Sequence, residues 1–196
     1  GRVNMINDRV AQERYQESLK LSKSIQMGML STAFPRFTQG SIIDLFAYIQ
    51  AARDVGGDFY DFFHLDEKTL LIAIGDVSGK GVPAALFMVM VKTLLRAIAK
   101  QHQFPDQMMG ALNPELCRDN DAMMFVTLFI ATLDLDTKQL KYSYGGHNRP
   151  VYLSNYGEVS LLPGDPGIAL GILDEATFSM ESMQLNAGDS LLLYTD

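Results

Sequence analysis

The chain has 196 residues, 47% of them hydrophobic, enough for one domain with a sizeable core. A net charge of −7 opposes binding to the phosphate backbone of nucleic acids, and Cys117, the only cysteine, excludes an internal disulfide and a cysteine-rich zinc site. No apolar run approaches the roughly 20 residues of a membrane span, since Lys92 interrupts Phe87–Leu95, and the Gly-Arg-Val-Asn start has no signal pattern; the expectation is a cytoplasmic domain without direct membrane insertion.

A helix is expected from Val3 to about Leu30, where Val3, Ile6 and Val10 share one face and Tyr15, Leu19, Ile25 and Met29 continue it with gaps. Glu13, Glu17 and Ser22 interrupt the stripe, so it reads either as a connecting helix that pairs with a second copy or as a solvated helix packed on its own domain. Ser31–Ser41, with Pro35 and Gly40, ends it. Strands are expected at Ile42–Ala51, Phe59–Leu65 and Thr69–Asp76, the third apolar enough to be buried on both faces. A helix follows from Pro83 to about Gln101 and another over Asp106–Asn120, where Asn113-Pro114 reads as a cap or a kink. Further strands are expected at Met123–Leu133, Gln139–Tyr144, Val151–Ser154, Thr177–Gln184 and Ser190–Thr195. Two sets of strands around a central helical pair, without βαβ alternation, predict an α+β fold with largely antiparallel sheets.

Three acidic motifs close strand patterns: Gly56-Gly57-Asp58-Phe59-Tyr60-Asp61, Gly75-Asp76-Val77-Ser78-Gly79-Lys80-Gly81 and Tyr194-Thr195-Asp196. Aspartate is a poor strand residue, and each motif alone reads most simply as a turn or cap. Three converging on one sheet edge would instead gather hard divalent cations, which prefer oxygen ligands; neighbouring glycines let backbone approach closely. The second motif misses the GxxxxGK[ST] phosphate loop and the GxSxG serine elbow by spacing. His64, His102 and His147 form no HExxH-type pair.

Taken together, these motifs resemble the SpoIIE/RsbU-type branch of the PP2C-like serine phosphatases. The resemblance runs from Ser24-Ile25-Gln26, Met29-Leu30 and Pro35 through Ala52–Asp61 and Gly75–Gly81. It continues in Met124-Phe125-Val126-Thr127-Leu128-Phe129, Gly145-Gly146-His147-Asn148 and Leu193-Tyr194-Thr195-Asp196. It implies a sandwich of two antiparallel sheets flanked by helices and hydrolysis of phosphoserine or phosphothreonine with two Mn²⁺ or Mg²⁺ ions. Asp76 would bridge both metals and Val77 would lend its backbone carbonyl; Asp58 would bind one metal directly or through water and Asp196 the other, with metal-bound water as the nucleophile. Lys80 is either a contact for substrate phosphate or a solvated turn lysine, Asp54 and Asp61 either support the ligands or lie on the surface, and His147 is either a general acid or, as Gly145-Gly146 before it and Pro150 after it favour, part of a tight bend. The family pattern continues past the Tyr-Thr-Asp motif with glycine and a later aspartate. A chain ending at Asp196 is therefore expected to bind metal weakly and to be poorly active.

The resemblance further implies residues 1–35 as a linker and dimerisation helix and residues 36–196 as the phosphatase domain. An anti-sigma-factor-antagonist-type substrate, an upstream sensor or receiver domain and a homodimer are the implied partners. The rival reading is a phosphatase-fold module that docks a partner without turnover.

Overall fold

The computed structural model describes residues 2–29, 42–49 and 56–196. The expectations for Ser31–Ser41, Pro35 and Ala52–Val55, Asp54 included, lie outside them. Period-two alternation decides the centre of the molecule. In β3 (Val126–Asp134), Val126, Leu128 and Ile130 join one apolar cluster and Phe129, Ala131 and Leu133 another, so this strand is buried on both faces. β2 (Thr69–Val77) lies beside it, with β1 (Phe59–His64) on its outer side; β4 (Gln139–Gly145) and β7 (Met180–Gln184) extend the sheet beyond β3. The order β1-β2-β3-β4-β7 is antiparallel throughout.

Two helices cover one face of this sheet. α2 (Val82–Ile98) and α3 (Pro105–Cys117) each carry proline in the first turn, where its missing N–H costs nothing. Met88, Val91 and Leu95 of α2 and Met108, Leu112 and Leu116 of α3 pack against Phe59, Leu71 and Val77 of the sheet. α3 runs on through Pro114, with glycine four residues back at Gly110, and ends three residues later. The other face, centred on Phe129, Tyr142 and Tyr144, meets a smaller antiparallel sheet. Its order is β6-β5-β8, from β5 (Val151–Leu153), β6 (Val159–Leu161) and β8 (Ser190–Leu192), and Leu191 and Leu193 turn inward.

The architecture is therefore the α+β sandwich expected, with two differences. Residues 42–49 join no ladder among the described residues, although Ile43 and Ile49 still pack against the two clusters. β6, Val-Ser-Leu, is not among the expected strands: it is only three residues long, and all three are exposed. At the amino terminus α1 (Arg2–Met29) forms as anticipated and touches α2, with Tyr15, Leu21 and Ile25 exposed. No helix among the described residues is long and apolar enough to cross a membrane.

Candidate active site

Strand register brings the first two acidic motifs together. Phe59 pairs with Gly75 across β1 and β2, so one step further along the antiparallel ladder Asp58 comes opposite Asp76. Both side chains fall on the face opposite Phe59 and Val77, which turn toward the helices, and so point between the two sheets. The third motif arrives from the facing sheet: the chain leaves β8 and brings Asp196 within electrostatic reach of Asp76. Thus Asp58 and Asp76, distant in sequence, meet at one end of the sandwich, and Asp196 reaches Asp76 only through its charge.

The electrostatics are those of crowded carboxylates. Burial first, then the charge of Asp58 and a hydrogen bond shared with it, push the Asp76 carboxyl up to about 6, with a smaller push from Asp196. Asp58 Oδ1 is buried and has no hydrogen-bond partner. No lysine or arginine pairs with either group among the described residues. Two contacting carboxylates with an orphaned buried oxygen form a hard donor set that a divalent cation would complete. The backbone fits as well. A Cβ on Gly57 would meet the Val77 carbonyl oxygen at 2.7 Å, so only glycine leaves that oxygen uncrowded. Among the described residues, however, no three His, Cys, Asp or Glu side chains stand close enough to cage an ion; Asp58 and Asp76 are the tight pair and Asp196 stands apart.

A residue that sequence reasoning did not single out supports the pair from behind. Thr127, opposite Asp76 in the β2–β3 register, donates to the Asp76 carbonyl at 3.5 Å and lies 2.9 Å from His147 Nδ1. His147 itself is 2% exposed. Burial lowers its pKa, opposed by the Tyr194 backbone and Asp196, yet Nε2 completes no hydrogen bond with protein. Gly146 just before it has φ 72°, and a Cβ there would strike the Ala169 backbone at 2.6 Å, so the tight bend expected around His147 is present. Thr127 lies within the Met124–Phe129 motif, but only the register reveals its contact.

Lys80 is exposed in the turn between Gly79 and Gly81, whose φ values are 83° and 72°. Asp61 belongs to neither the surface nor the metal pair. It is fully buried on the helix face of β1, where Arg96 Nε donates to Oδ2 at 2.7 Å and Nη2 to Oδ1 at 2.6 Å. Lys92 Nζ stands 3.6 Å from the same carboxylate. Cys117 lies under the loop after Leu170, and burial pushes its thiol up, the opposite of what activates a nucleophile.

Comparison with known proteins gives the family and the fold. Residues 66–196 match the family described as Stage II sporulation protein E (SpoIIE). The phosphoserine phosphatase RsbU of Bacillus subtilis is 30% identical over 185 residues, 94% of this chain and 54% of that protein. Protein IcfG of Synechocystis is 31% identical over 206 residues, 91% of this chain and 32% of that protein. The chain therefore spans about half or less of the length of these relatives. The SiaA-PP2C domain of Pseudomonas aeruginosa superposes with a TM-score of 0.79 at 22% identity, over 92% of this chain and 71% of that one. The phosphatase domain of SpoIIE from Bacillus subtilis, solved with a fragment of its regulatory domain, gives 0.61 at 24% identity, over 71% and 41%. At those identities the structures establish the fold; with the family match across most of the chain, they place this protein in the SpoIIE/RsbU-type family of PP2C-like serine phosphatases.

Proposed function

We propose that this chain is the catalytic domain of a metal-dependent protein serine/threonine phosphatase. Its substrate is phosphoserine on a partner of the anti-sigma-factor-antagonist type, within a bacterial partner-switching pathway. The observation that carries this reading is the Asp58–Asp76 pair: two carboxylates in contact between the sheets, one holding an unpartnered oxygen, neither matched by a protein cation among the described residues. Its resemblance to the phosphoserine phosphatase RsbU supports the substrate class.

When bound, two Mn²⁺ or Mg²⁺ ions supply an activated water and offset charge on the phosphoryl group. Asp76 and Asp58 hold them, with the Val77 carbonyl kept accessible by Gly57 and Asp196 contributed from the facing sheet. Thr127 fixes the Asp76 backbone. Lys80, exposed between Gly79 and Gly81, is a candidate contact for substrate phosphate, the alternative being a solvated turn lysine. No side-chain nucleophile takes part, so no covalent phosphoenzyme forms. The domain proper is residues 36–196. Residues 1–35 link it to an upstream sensor or receiver domain and pair with a second copy, for which the exposed Tyr15, Leu21 and Ile25 of α1 speak. Sizing the protein with and without residues 1–35 tests that pairing.

The reaction is tested by phosphate release from a serine-phosphorylated antagonist by the full-length protein, with and without Mn²⁺, beside Asp76→Asn. Release that needs the metal and vanishes in the variant supports the enzyme. Stable partner binding without release under any metal would instead favour the docking module, a reading that draws on the absence of a three-residue cage among the described residues.

A further inference from the structure

The end of the sandwich that holds Asp58 and Asp76 also displays an apolar surface that the fold does not use. Met123, Ile172 and Leu173 are 82%, 55% and 53% exposed, and Phe125 stands at their edge. They sit on two loops beside the site. Phe125 exchanges hydrogen bonds with Ser78, two residues past Asp76: its carbonyl accepts from the Ser78 N–H at 2.8 Å, and its own N–H donates to Ser78 Oγ at 3.0 Å. Val126 and Leu170 then pair backbone to backbone, each N–H donating at 3.0 Å, which brings residues 171–174 against 120–125.

Exposed apolar loops are usually free to rearrange, but these are fixed from beneath. Asn113 of α3 is fully buried. Its Oδ1 accepts from the Gly171 N–H at 2.9 Å, and its Nδ2 donates to the carbonyls of Leu173 and Asp174 at 2.8 and 3.1 Å. Asn120 closes the other side, donating to the carbonyls of Met124 at 2.7 Å and Gly171 at 3.3 Å while accepting from the Met124 N–H at 2.9 Å. The backbone is held in costly conformations: φ is 52° at Asp119 and 49° at Met123, positive values that non-glycine residues rarely adopt. A buried amide and two strained residues thus hold three apolar side chains in water. Such an arrangement favours recognition, because a loop already ordered loses little entropy on binding.

Charge narrows the occupant. Asp119, Asp121, Asp174 and Glu175 are all exposed around the apolar centre, and segments 119–125 and 171–177 contain no lysine or arginine. The nearest cation in sequence, Arg118, is paired with Glu115. A phosphoprotein delivering its phosphate to Asp58 and Asp76 must cover the border of the site, and a second acidic surface would be repelled there. We propose that Met123, Ile172 and Leu173 form the docking surface for the phosphoprotein substrate, which contacts them with an apolar patch bordered by lysine or arginine. This inference rests on the phosphatase reading for its occupant and adds how that occupant is recognised.

The test compares three substrates with one set of variants. The full-length protein and its M123S/I172S/L173S variant are assayed with Mn²⁺ on p-nitrophenyl phosphate, on a short phosphoserine peptide and on the folded, serine-phosphorylated antagonist from which the peptide derives. All three substituted side chains are exposed, so the fold is expected to survive, which thermal melting verifies. The variant should lose at least about tenfold in kcat/KM on the folded protein alone, as expected when apolar anchors leave an interface. Asp174→Asn with Glu175→Gln should flatten the salt dependence of that reaction. Equal losses on all three substrates, or no loss on the folded protein, would overturn the docking surface. Binding of the phosphoprotein, followed by calorimetry with the metal removed, separates the two readings. Affinity that drops in the triple variant while no substrate is turned over sinks the phosphatase and keeps the surface; undiminished affinity sinks the surface whatever the turnover.

Discussion

Asp58 and Asp61 stand three residues apart at the same edge of the large sheet, one just before β1 and one within it, yet they face opposite layers and meet opposite treatment. On the helix side Asp61 is fully buried, and α2 meets it with Arg96 and Lys92, two cations one turn apart. On the inter-sheet side Asp58 meets another carboxylate, and no lysine or arginine pairs with it among the described residues. A buried charge is tolerated when it is paired. Where the fold needs a carboxylate for architecture, it supplies the cation itself. Where it leaves two carboxylates against each other, the missing charge has to come from outside. Sequence position distinguishes the two poorly, since each aspartate follows an apolar or glycine-rich stretch; the face of the strand distinguishes them at once.

Breaking the paired side should have the largest effect on stability. Asp61→Ala takes a counter-charge away from Lys92, whose side chain is 6% exposed, while Arg96 at 46% can turn toward water. Removing one partner of a buried pair typically costs about 3–5 kcal/mol, and the escape of Arg96 puts the expectation near about 3 kcal/mol. Urea unfolding measures it. An unchanged midpoint would mean that Asp61 is dispensable and the contrast between the two faces is false.

Asp76→Asn attacks the unpaired side and should do the reverse. Metal-dependent phosphate release should fall at least about a hundredfold, the scale for losing one preorganised electrostatic group. Stability in chelator should hold or rise, because the substitution removes a like-charge contact. The sign follows from the titration. The Asp76 carboxyl is raised from 3.8 to about 6 in the folded protein. The folded state therefore holds a proton between those values that the unfolded chain has released, and this contribution to stability is full below about 4 and lost as pH rises through about 6. Metal-free wild type should lose stability across that window, and Asp76→Asn should lose the slope. A variant less stable than wild type in chelator would argue that Asp76 is structural.

How far this arrangement could be read from sequence depends on what each residue answers to. Asp58 and Asp76 stand out in the sequence because glycine-flanked acids at strand ends are costly without a reason, and the structure sets these two side by side; Asp196, without a flanking glycine, reaches Asp76 only through its charge. The apolar stretches of β2 and β3 were legible for the same physical cause, burial on both faces. Residues 42–49 alternate in burial like a strand, yet they enter no ladder among the described residues; alternation specifies which face is buried, not which strand lies alongside. Asn113 beside Pro114 suggested a cap or kink; its amide instead reaches across to the loop at residues 171–174, a contact separated by some sixty positions. Asp61 looked like a ligand's neighbour because the motif is continuous, whereas the pleat turns it away.

A smaller effect belongs to Gly57, which joins the acidic pair to the backbone. Its missing Cβ leaves 2.7 Å to the Val77 carbonyl and 2.9 Å to the Val77 side chain, both on a central strand that cannot retreat without breaking its pairing with Val126. Gly57→Ala should cost about 1–3 kcal/mol, the range for overpacking a tight site. It should also weaken Mn²⁺ binding, since the crowded oxygen is one of the proposed donors; titration against a calibrated melt reads both. A loss of stability without a loss of metal affinity would leave the glycine as packing alone.

The least effect is expected where charge pairing has no burial behind it. Lys68 and Asp136 form a close ion pair between the β1–β2 and β3–β4 turns, but their side chains are 67% and 59% exposed. Solvent screens such a pair, and the order it imposes on two long side chains offsets the attraction. Asp136→Asn should leave the urea midpoint nearly where it was at moderate salt, with any difference disappearing as salt rises. Set beside Asp61→Ala, that result would show that it is the low-dielectric side of the sheet, rather than the presence of an ion pair, that makes Asp61 indispensable. A large loss for Asp136→Asn would instead mean that the two turns are held together by charge, and the contrast between the faces of β1 would no longer stand on burial.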